Sequence, residues 1–146
     1  MTTLIEIVCA LDQAEAVQTL IEESCQANGD LLIGRCVYEQ FNEVLLIVRL
    51  LGATSVSKYV TILSQELQQE VILSFQLVSG DLVKISFNPS VDVREQMRHF
   101  PLHPGESWYP AIHDPHQAYV CIRRPLMGAK QAAWLLKHEV EWVFVL

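Results

Sequence analysis

Proline sets the strongest constraint on this chain, because four of its six prolines fall within residues 98–117. Each proline fixes its φ angle and lacks a backbone N–H group, so neither a regular helix nor an interior strand can run through this segment. The same segment holds four of the five histidines. Irregular connections of this length are uncommon in compact domains, and they are usually functional or disordered. The sequence therefore predicts a functional Pro/His-rich loop within residues 88–117.

Length and hydropathy indicate one folded domain. With 146 residues the chain is long enough to bury a core, and we expect a single α+β domain over residues 1–146. The longest apolar run, residues 44–48, is far shorter than the roughly 18 residues needed to span a bilayer. The N-terminus contains acidic Glu6 and lacks the basic start of a secretory signal. We expect a cytoplasmic protein with no membrane partner.

Cysteine spacing points to the same compartment. The four cysteines are far apart, form no Cys-x-x-Cys pair, and lie in apolar periodic segments. Free cysteine in such segments behaves as a small buried hydrophobe. Free thiols and a reducing environment are therefore expected.

Charge is unevenly distributed along the chain. The net charge is −7, and residues 1–90 hold 11 acidic and 4 basic residues, whereas residues 91–146 hold 6 of each. Nucleic-acid binding requires a clustered basic face, so the sequence argues against a nucleic-acid partner. An acidic surface suits a protein partner with a basic surface. The alternative is that the charge only keeps a small protein soluble.

Hydrophobic periodicity predicts a regular succession of elements in residues 1–87. The predicted elements are a strand over 3–11, a helix between Asp12 and Gly29, strands over 31–41 and 43–51, a helix over 56–69, and strands over 71–78 and 82–87. Asp12 and Glu15 suit a capping box, and Gly29 suits a left-handed helix end. The strands over 31–51 must form an antiparallel hairpin, with a bulge favoured at Gly34. Residues 79–81 suggest a turn. The first six elements match a ferredoxin-like βαββαβ core with a mostly antiparallel sheet and helices on one face.

The last 29 residues predict a C-terminal extension of βαβ type over residues 118–146. Alternation predicts a strand over 117–124, composition predicts a helix over 128–138, and a second strand follows over 139–146. Trp134 and Trp142 belong to the helix and the last strand and are expected in the core.

The histidines of the loop suggest a metal site as one interpretation. Imidazole and carboxylate groups together suit zinc, iron or manganese. The candidate ligands are His99, His103, His113 and His116. Prolines interrupt both histidine pairs, so neither pair can lie on a regular helix. We therefore expect no metal or other cofactor, and polar loop residues instead.

The loop also carries aromatic residues of the kind that anchor protein interfaces. The predicted partner-binding residues are Phe100, His103, Glu106, Trp108, Tyr109, His113, Asp114 and His116. The alternative is that the rings fold back to cover the sheet.

No catalytic motif stands out in the chain. Ser107 lies in Gly-Glu-Ser-Trp, which lacks the second glycine of a nucleophile elbow, and no phosphate-binding glycine motif is present. The sequence thus favours a non-catalytic acidic protein that neutralises or regulates a protein partner, as an inhibitor or toxin-immunity protein does. A small-metabolite-sensing regulatory domain and a metal-dependent hydrolase using the loop histidines are the alternatives. The sequence also leaves a homodimer as an alternative to a monomer.

Overall fold

The structure is a computed structural model that describes residues 2–51, 53–123 and 127–145, apart from the side chains of residues 53–55 and 67. It is a mixed α/β protein with antiparallel strand pairing and, within these ranges, four α-helices. Thr3–Val78 form one compact unit, and the chain from Ser79 onwards forms a second. None of the described helices is long and apolar enough to cross a membrane.

The first unit is built from four strands and two helices. Its elements are β1 (Thr2–Ala10), α1 (Ala14–Asn28), β2 (Leu31–Tyr38), β3 (Glu43–Leu50), α2 (Ala53–Gln68) and the first half of β4 (Ile72–Ser86). The strand order is β2-β3-β1-β4. β3 pairs antiparallel with β1 and with β2, and the β2–β3 register shifts between Leu32 and Gly34. The predicted hairpin is therefore present, with its irregularity at the predicted glycine.

The core of the first unit lies around β1 and β3, because each of these strands has a neighbour on both sides. The helices add side chains spaced three or four residues apart, as an amphipathic face requires. The buried side chains of these elements include Leu4, Ile5, Ile7, Val17, Ile21, Val44, Leu46, Val48, Tyr59 and Leu63. Each fully buried aliphatic side chain stabilises the fold by about 1.5–3 kcal/mol.

The start of α1 differs from the predicted capping box. Residues 11–13 form a 3₁₀ turn, and the N-cap of α1 is Gln13, which makes no side-chain capping bond. Leu11 N donates to Asn42 O at 2.7 Å, and this bond holds the chain against the β2–β3 hairpin before the helix begins. The helix end is as predicted, with Gly29 at φ 74°.

The predicted turn at residues 79–81 is wrong. β4 runs unbroken for 15 residues, from Ile72 to Ser86. A Cβ atom at Gly80 would lie 2.6 Å from the carbonyl oxygen of Ile122 and 2.8 Å from Cys121 Sγ. Gly80 is therefore required for a close approach between strands, not for a change of direction.

The second unit continues from the second half of β4. Its further elements are α3 (Val93–Met97), β5 (Ser107–Pro110), β6 (Gln117–Ile122), α4 (Ala129–Lys137) and β7 (Glu141–Phe144). The strand order is β7-β4-β6-β5, and every pair in it is antiparallel. Because β6 and β7 both run antiparallel to β4, they are parallel to each other, and β6, α4 and β7 form the C-terminal βαβ unit.

The two units follow the same path through their sheets. Each reads strand, helix, strand, strand, helix, strand, and in each the order across the sheet is fourth, first, third, second. β4 is the fourth strand of the first unit and the first strand of the second. The chain thus contains a topological repeat in which one long strand serves twice.

An aromatic cluster forms the core of the second unit. Trp134 packs edge-on against Phe87 and Phe100, with ring centroids 6.3 and 5.1 Å apart. Aliphatic side chains of β4, β6 and α4 surround these rings, among them Val83, Ile85, Val120 and Leu135. The predicted core position of Trp134 is confirmed.

The second tryptophan predicted for the core, Trp142, lies at the surface. β7 pairs with β4, but all four of its residues are exposed. Trp142 is 39% exposed and packs edge-on against Phe144, with ring centroids 5.6 Å apart. Alternation along the strand identified one face but could not show that nothing in the described chain covers it.

Candidate functional site

The rings of the Pro/His-rich loop turn inward. Phe100 and Tyr109 are buried, with 6% and 1% of their surface exposed, and Trp108 packs against the core of the second unit. Trp108 and Tyr109 belong to β5, which pairs with β6. Because β5 is the end strand of its sheet, Pro110 at its end is tolerated. The rings therefore follow the alternative interpretation, in which they cover the sheet.

Glu106 is a buried structural carboxylate. Its Oε1 accepts from His103 N at 2.8 Å and from Gln131 Nε2 at 2.9 Å, and its Oε2 accepts from Arg123 N at 3.1 Å. Gln131 Oε1 in turn accepts from Gly128 N at 3.1 Å. The network ties the loop to the end of β6 and the start of α4, so Glu106 is engaged inside the protein rather than available to a partner.

His103 is half-buried beside the start of α4. A Cβ atom at Gly128 would lie 2.5 Å from His103 Nε2, so a side chain there would displace the imidazole. His103 Nε2 is buried and makes no hydrogen bond within the described part of the chain. The His103 imidazole therefore packs between the loop and the start of α4.

The remaining loop residues lie nearer the surface. His113 is exposed, and Asp114 and His116 are half-buried. Asp114 Oδ1 accepts from His116 N at 2.9 Å, which closes a local turn. His99 is exposed and lies 3.8 Å from Glu95 through its Nε2 atom. A partner-binding role for His113, Asp114 and His116 stays a prediction.

The histidines do not gather into a ligand set. Among the side chains that the structure describes, no group of three or more His, Cys, Asp or Glu residues is placed to hold a metal ion. His99 instead faces Glu95, and His103 faces Gly128.

A different site lies in the first unit, in an open groove along α1. The groove has a volume of about 750 Å³ and is lined by Glu15, Ala16, Gln18, Thr19, Glu22 and Arg35. Its five helical residues lie at spacings that place them along one side of α1. Arg35 comes from β2, the end strand of the first unit's sheet. The groove thus lies at a sheet edge.

Hydrogen bonds position the charged groups of this groove. Arg35 Nη1 donates to Gln18 Oε1 at 2.9 Å, and Gln18 Nε2 donates to Glu22 Oε1 at 2.9 Å. Arg35 Nε is buried and makes no hydrogen bond to any described residue. One cation and two carboxylates therefore share the groove, with the guanidinium incompletely hydrogen-bonded.

The cysteines near the core of the first unit are poor nucleophiles. Burial raises the pKa of the Cys9 thiol above its ordinary value of 9.0, and the nearby Arg35 only partly opposes this. Burial likewise raises the pKa of Cys25, whose Sγ accepts a hydrogen bond from Tyr59 at 3.2 Å. Both thiols stay protonated at neutral pH, whereas the thiolate is the reactive form. Neither of these two thiols is therefore suited to act as a nucleophile.

Sequence reasoning missed the groove because its parts are far apart in the chain. It treated Glu15 as a capping residue. The repeat of polar residues along α1 was visible, but Arg35 is 17 residues from Gln18. Only the tertiary structure brings the guanidinium to the helix.

Comparisons with known proteins leave the family open. No protein-family model and no curated protein sequence matches the chain. A solved structure provisionally assigned as a glycine cleavage system transcriptional repressor is 12% identical, with a TM-score of 0.42 over 99% of this chain and 96% of that one. A provisionally assigned monooxygenase from Lactobacillus acidophilus NCFM is 11% identical, with a TM-score of 0.38 over 99% and 94% of the two chains. Scores this low carry no conclusion about function.

Proposed function

We propose that the protein is a non-catalytic small-molecule-sensing module that binds a zwitterionic metabolite in the α1 groove. The groove supplies a guanidinium for the ligand's carboxylate and two glutamates for its ammonium group. Guanidinium binds carboxylate through two adjacent N–H groups, and this geometry favours planar anions. A ligand with both charges would satisfy both kinds of group at once.

The observation that carries this proposal is the state of Arg35. Gln18 holds one end of its guanidinium, while Nε is buried without a hydrogen bond to the described residues. Buried polar groups are usually hydrogen-bonded, and an unsatisfied one calls for an explanation. A ligand carboxylate in the groove would supply the missing partner once the guanidinium turns toward it, because Nε is out of reach of solvent in the structure.

The fold agrees with a sensing module but identifies neither its function nor its ligand. We infer that both units have the ferredoxin-like βαββαβ topology, because each has two helices and the strand order fourth, first, third, second. This topology hosts many functions, so the site and not the fold supports the sensing role.

Thermal denaturation tests the proposal. A panel of small zwitterions is compared with matched carboxylic acids and amines that carry one charge each. A ligand that binds only the folded state raises the melting temperature with its concentration. At least one zwitterion should do so, and Arg35→Gln should abolish the shift. Arg94→Gln is the matched control, because Arg94 is an exposed arginine on α3 of the second unit.

Two outcomes would contradict the proposal. One is a panel in which no zwitterion stabilises the wild-type protein. The other is a shift that persists in Arg35→Gln, which would locate the ligand elsewhere.

The compartment is part of the same proposal. All four cysteines are free thiols, in agreement with a reducing environment. We therefore assign the sensing module to the cytoplasm.

A further inference from the structure

The two turns at one end of the first unit form a surface that the groove does not use. We call it the acidic tip, and it comprises residues 11–13 and 39–43. Leu11 N donates to Asn42 O at 2.7 Å, so the turn after β1 is joined to the turn of the β2–β3 hairpin. The tip exposes 68% of Phe41 and 37% of Leu11.

A cavity adjoins one of these apolar side chains, that of Leu11. It has a volume of about 410 Å³ and is lined by Ala10, Leu11, Asp12 and Asn42. A cavity of this size accepts one large apolar side chain, which would lie against Leu11.

Hydrogen bonds and strand pairing order the backbone on the C-terminal side of Phe41. Asn42 has the left-handed φ of 51°, and its N–H donates to Glu39 O at 3.2 Å. Glu43 pairs with Tyr38 on one side and with Ala10 on the other. Because the backbone of this turn is already ordered, binding at Phe41 does not have to order the loop.

The two turns of the acidic tip carry three carboxylates. Asp12 and Glu39 are exposed, and Glu43 is half-buried beside them. Arg35 is the single basic residue among the first 48, and its guanidinium is directed to Gln18. The tip therefore combines an apolar centre with negative charge and has no basic residue of its own.

We propose that the acidic tip is a docking surface for an exposed segment of a partner protein that carries lysine or arginine beside a large apolar side chain. The apolar side chain enters the cavity next to Leu11 and contacts Phe41. The basic side chains contact Asp12 and Glu39, and the charge complementarity speeds association. Nucleic acid and anionic lipid are repelled by the same carboxylates.

This docking surface is independent of the proposed ligand groove. The groove uses Arg35 and the side of α1, whereas the tip uses Phe41, Leu11 and Asp12. Loss of one activity would leave the other measurable.

Selection from random peptides displayed on phage tests the docking surface with the full chain as bait. Enriched peptides should carry lysine or arginine next to an aromatic or aliphatic residue. Binding of a synthetic copy of an enriched peptide is then measured by fluorescence anisotropy. Phe41→Ser should weaken binding about tenfold or more, since a central aromatic residue often dominates an interface.

Matched variants separate the contributions of shape and charge. Leu136→Ser is the control for an apolar side chain, because Leu136 is 80% exposed on α4 of the second unit, and it should bind the peptide as the wild type does. Asp12→Asn combined with Glu39→Gln should weaken binding and reduce its dependence on salt. Melting temperatures establish that each variant is folded.

Four results would overturn the proposal. They are a selection that enriches no peptide, enriched peptides without basic residues, Phe41→Ser binding equal to that of the wild type, and Phe41-dependent binding to phosphatidylserine vesicles in place of peptides. Self-association that Phe41→Ser abolishes would likewise assign the tip to a second copy and not to a partner.

Discussion

At the scale of single residues, Glu106 determines the course of the Pro/His-rich loop. Three donors from separate parts of the second unit converge on its carboxylate, and the side chain is only 8% exposed. An ionised carboxylate that accepts several hydrogen bonds is well compensated for its burial. Hydrogen bonds to Glu106 therefore hold the loop in place together with the pairing of β5 with β6.

Removal of this carboxylate should be costly. Glu106→Ala leaves the N–H groups of His103 and Arg123 and the amide of Gln131 without their acceptor, and we expect a loss of about 3 kcal/mol in the free energy of unfolding. Urea denaturation measures the change. Glu141→Ala, at an exposed position on β7, serves as the control and should change stability little. Equal effects of the two substitutions would refute the structural role of Glu106.

The buried Cys25–Tyr59 pair predicts sensitivity to alkaline pH. Burial raises the pKa of both groups in the folded state, and the ordinary value for the cysteine is 9.0. Below this value both the folded and the unfolded thiol hold their protons, so stability does not depend on them. Above it the unfolded chain loses its protons first, and stability falls as the pH rises towards the folded pKa.

Urea denaturation at a series of pH values checks this expectation. The midpoint should be steady near neutral pH and decline above about pH 9, as linkage requires. Tyr59→Phe removes one of the titrating groups, so its decline should be shallower. A wild-type midpoint that does not change with alkaline pH would rule the explanation out.

At the scale of elements, β4 is the strand on which the second unit depends. Residues Val83–Ser86 pair with β7 on one side and with β6 on the other. Gly80 lets this strand approach β6 closely enough to pair over six residues, Asp81 to Ser86. Gly80 suggests a turn in the sequence, but in the structure it is required for close packing inside a strand.

A side chain at Gly80 should disturb this approach. Gly80→Val places methyl groups where Ile122 O and Cys121 Sγ already lie, and overpacking of this kind costs about 1–3 kcal/mol. Ser79→Val is the control, since Ser79 is the exposed neighbour in the same strand and valine favours strands. Thermal unfolding should show a loss for the first variant only. A Gly80→Val variant as stable as the wild type would contradict the close approach of β4 to β6.

At the scale of the whole molecule, the net charge is confined to one unit. Residues 3–78 hold 10 acidic and 3 basic residues, whereas residues 79–146 hold 7 of each. Like charges in one compact unit repel each other and oppose its folding. The acidic tip and the groove both belong to this unit.

Salt should therefore stabilise the protein. Sodium chloride screens repulsion among surface carboxylates over distances of about 10 Å, and the melting temperature should rise as salt is added. A variant with Glu22→Gln and Glu23→Gln carries less of this repulsion and should respond less. A melting temperature that falls or stays constant with salt would show that attractive ion pairs balance the repulsion.

The sequence alone determined the local elements of this protein. It also showed that neither a regular helix nor an interior strand can run through the proline-rich segment. Hydrophobic periodicity predicted α1 and the strands of the β2–β3 hairpin, composition predicted α4, and Gly29 predicted the left-handed end of α1, because these depend on neighbours in the chain. The inward turn of Phe100 and Tyr109, the burial of Glu106 and the exposure of Trp142 depend on contacts between distant segments, and periodicity contains no such information.

The tertiary structure alone decided where chemistry can occur. It identifies Arg35 and the side of α1, rather than the histidines of the loop, as the candidate site. Arg35 reaches the helix only when β2 packs beside it. It also showed the repeated topology, because strand order is set by pairing across the sheet and not by sequence period. A pattern along the chain specifies which face of an element is apolar, whereas the partner of that face is chosen only when the whole chain is folded.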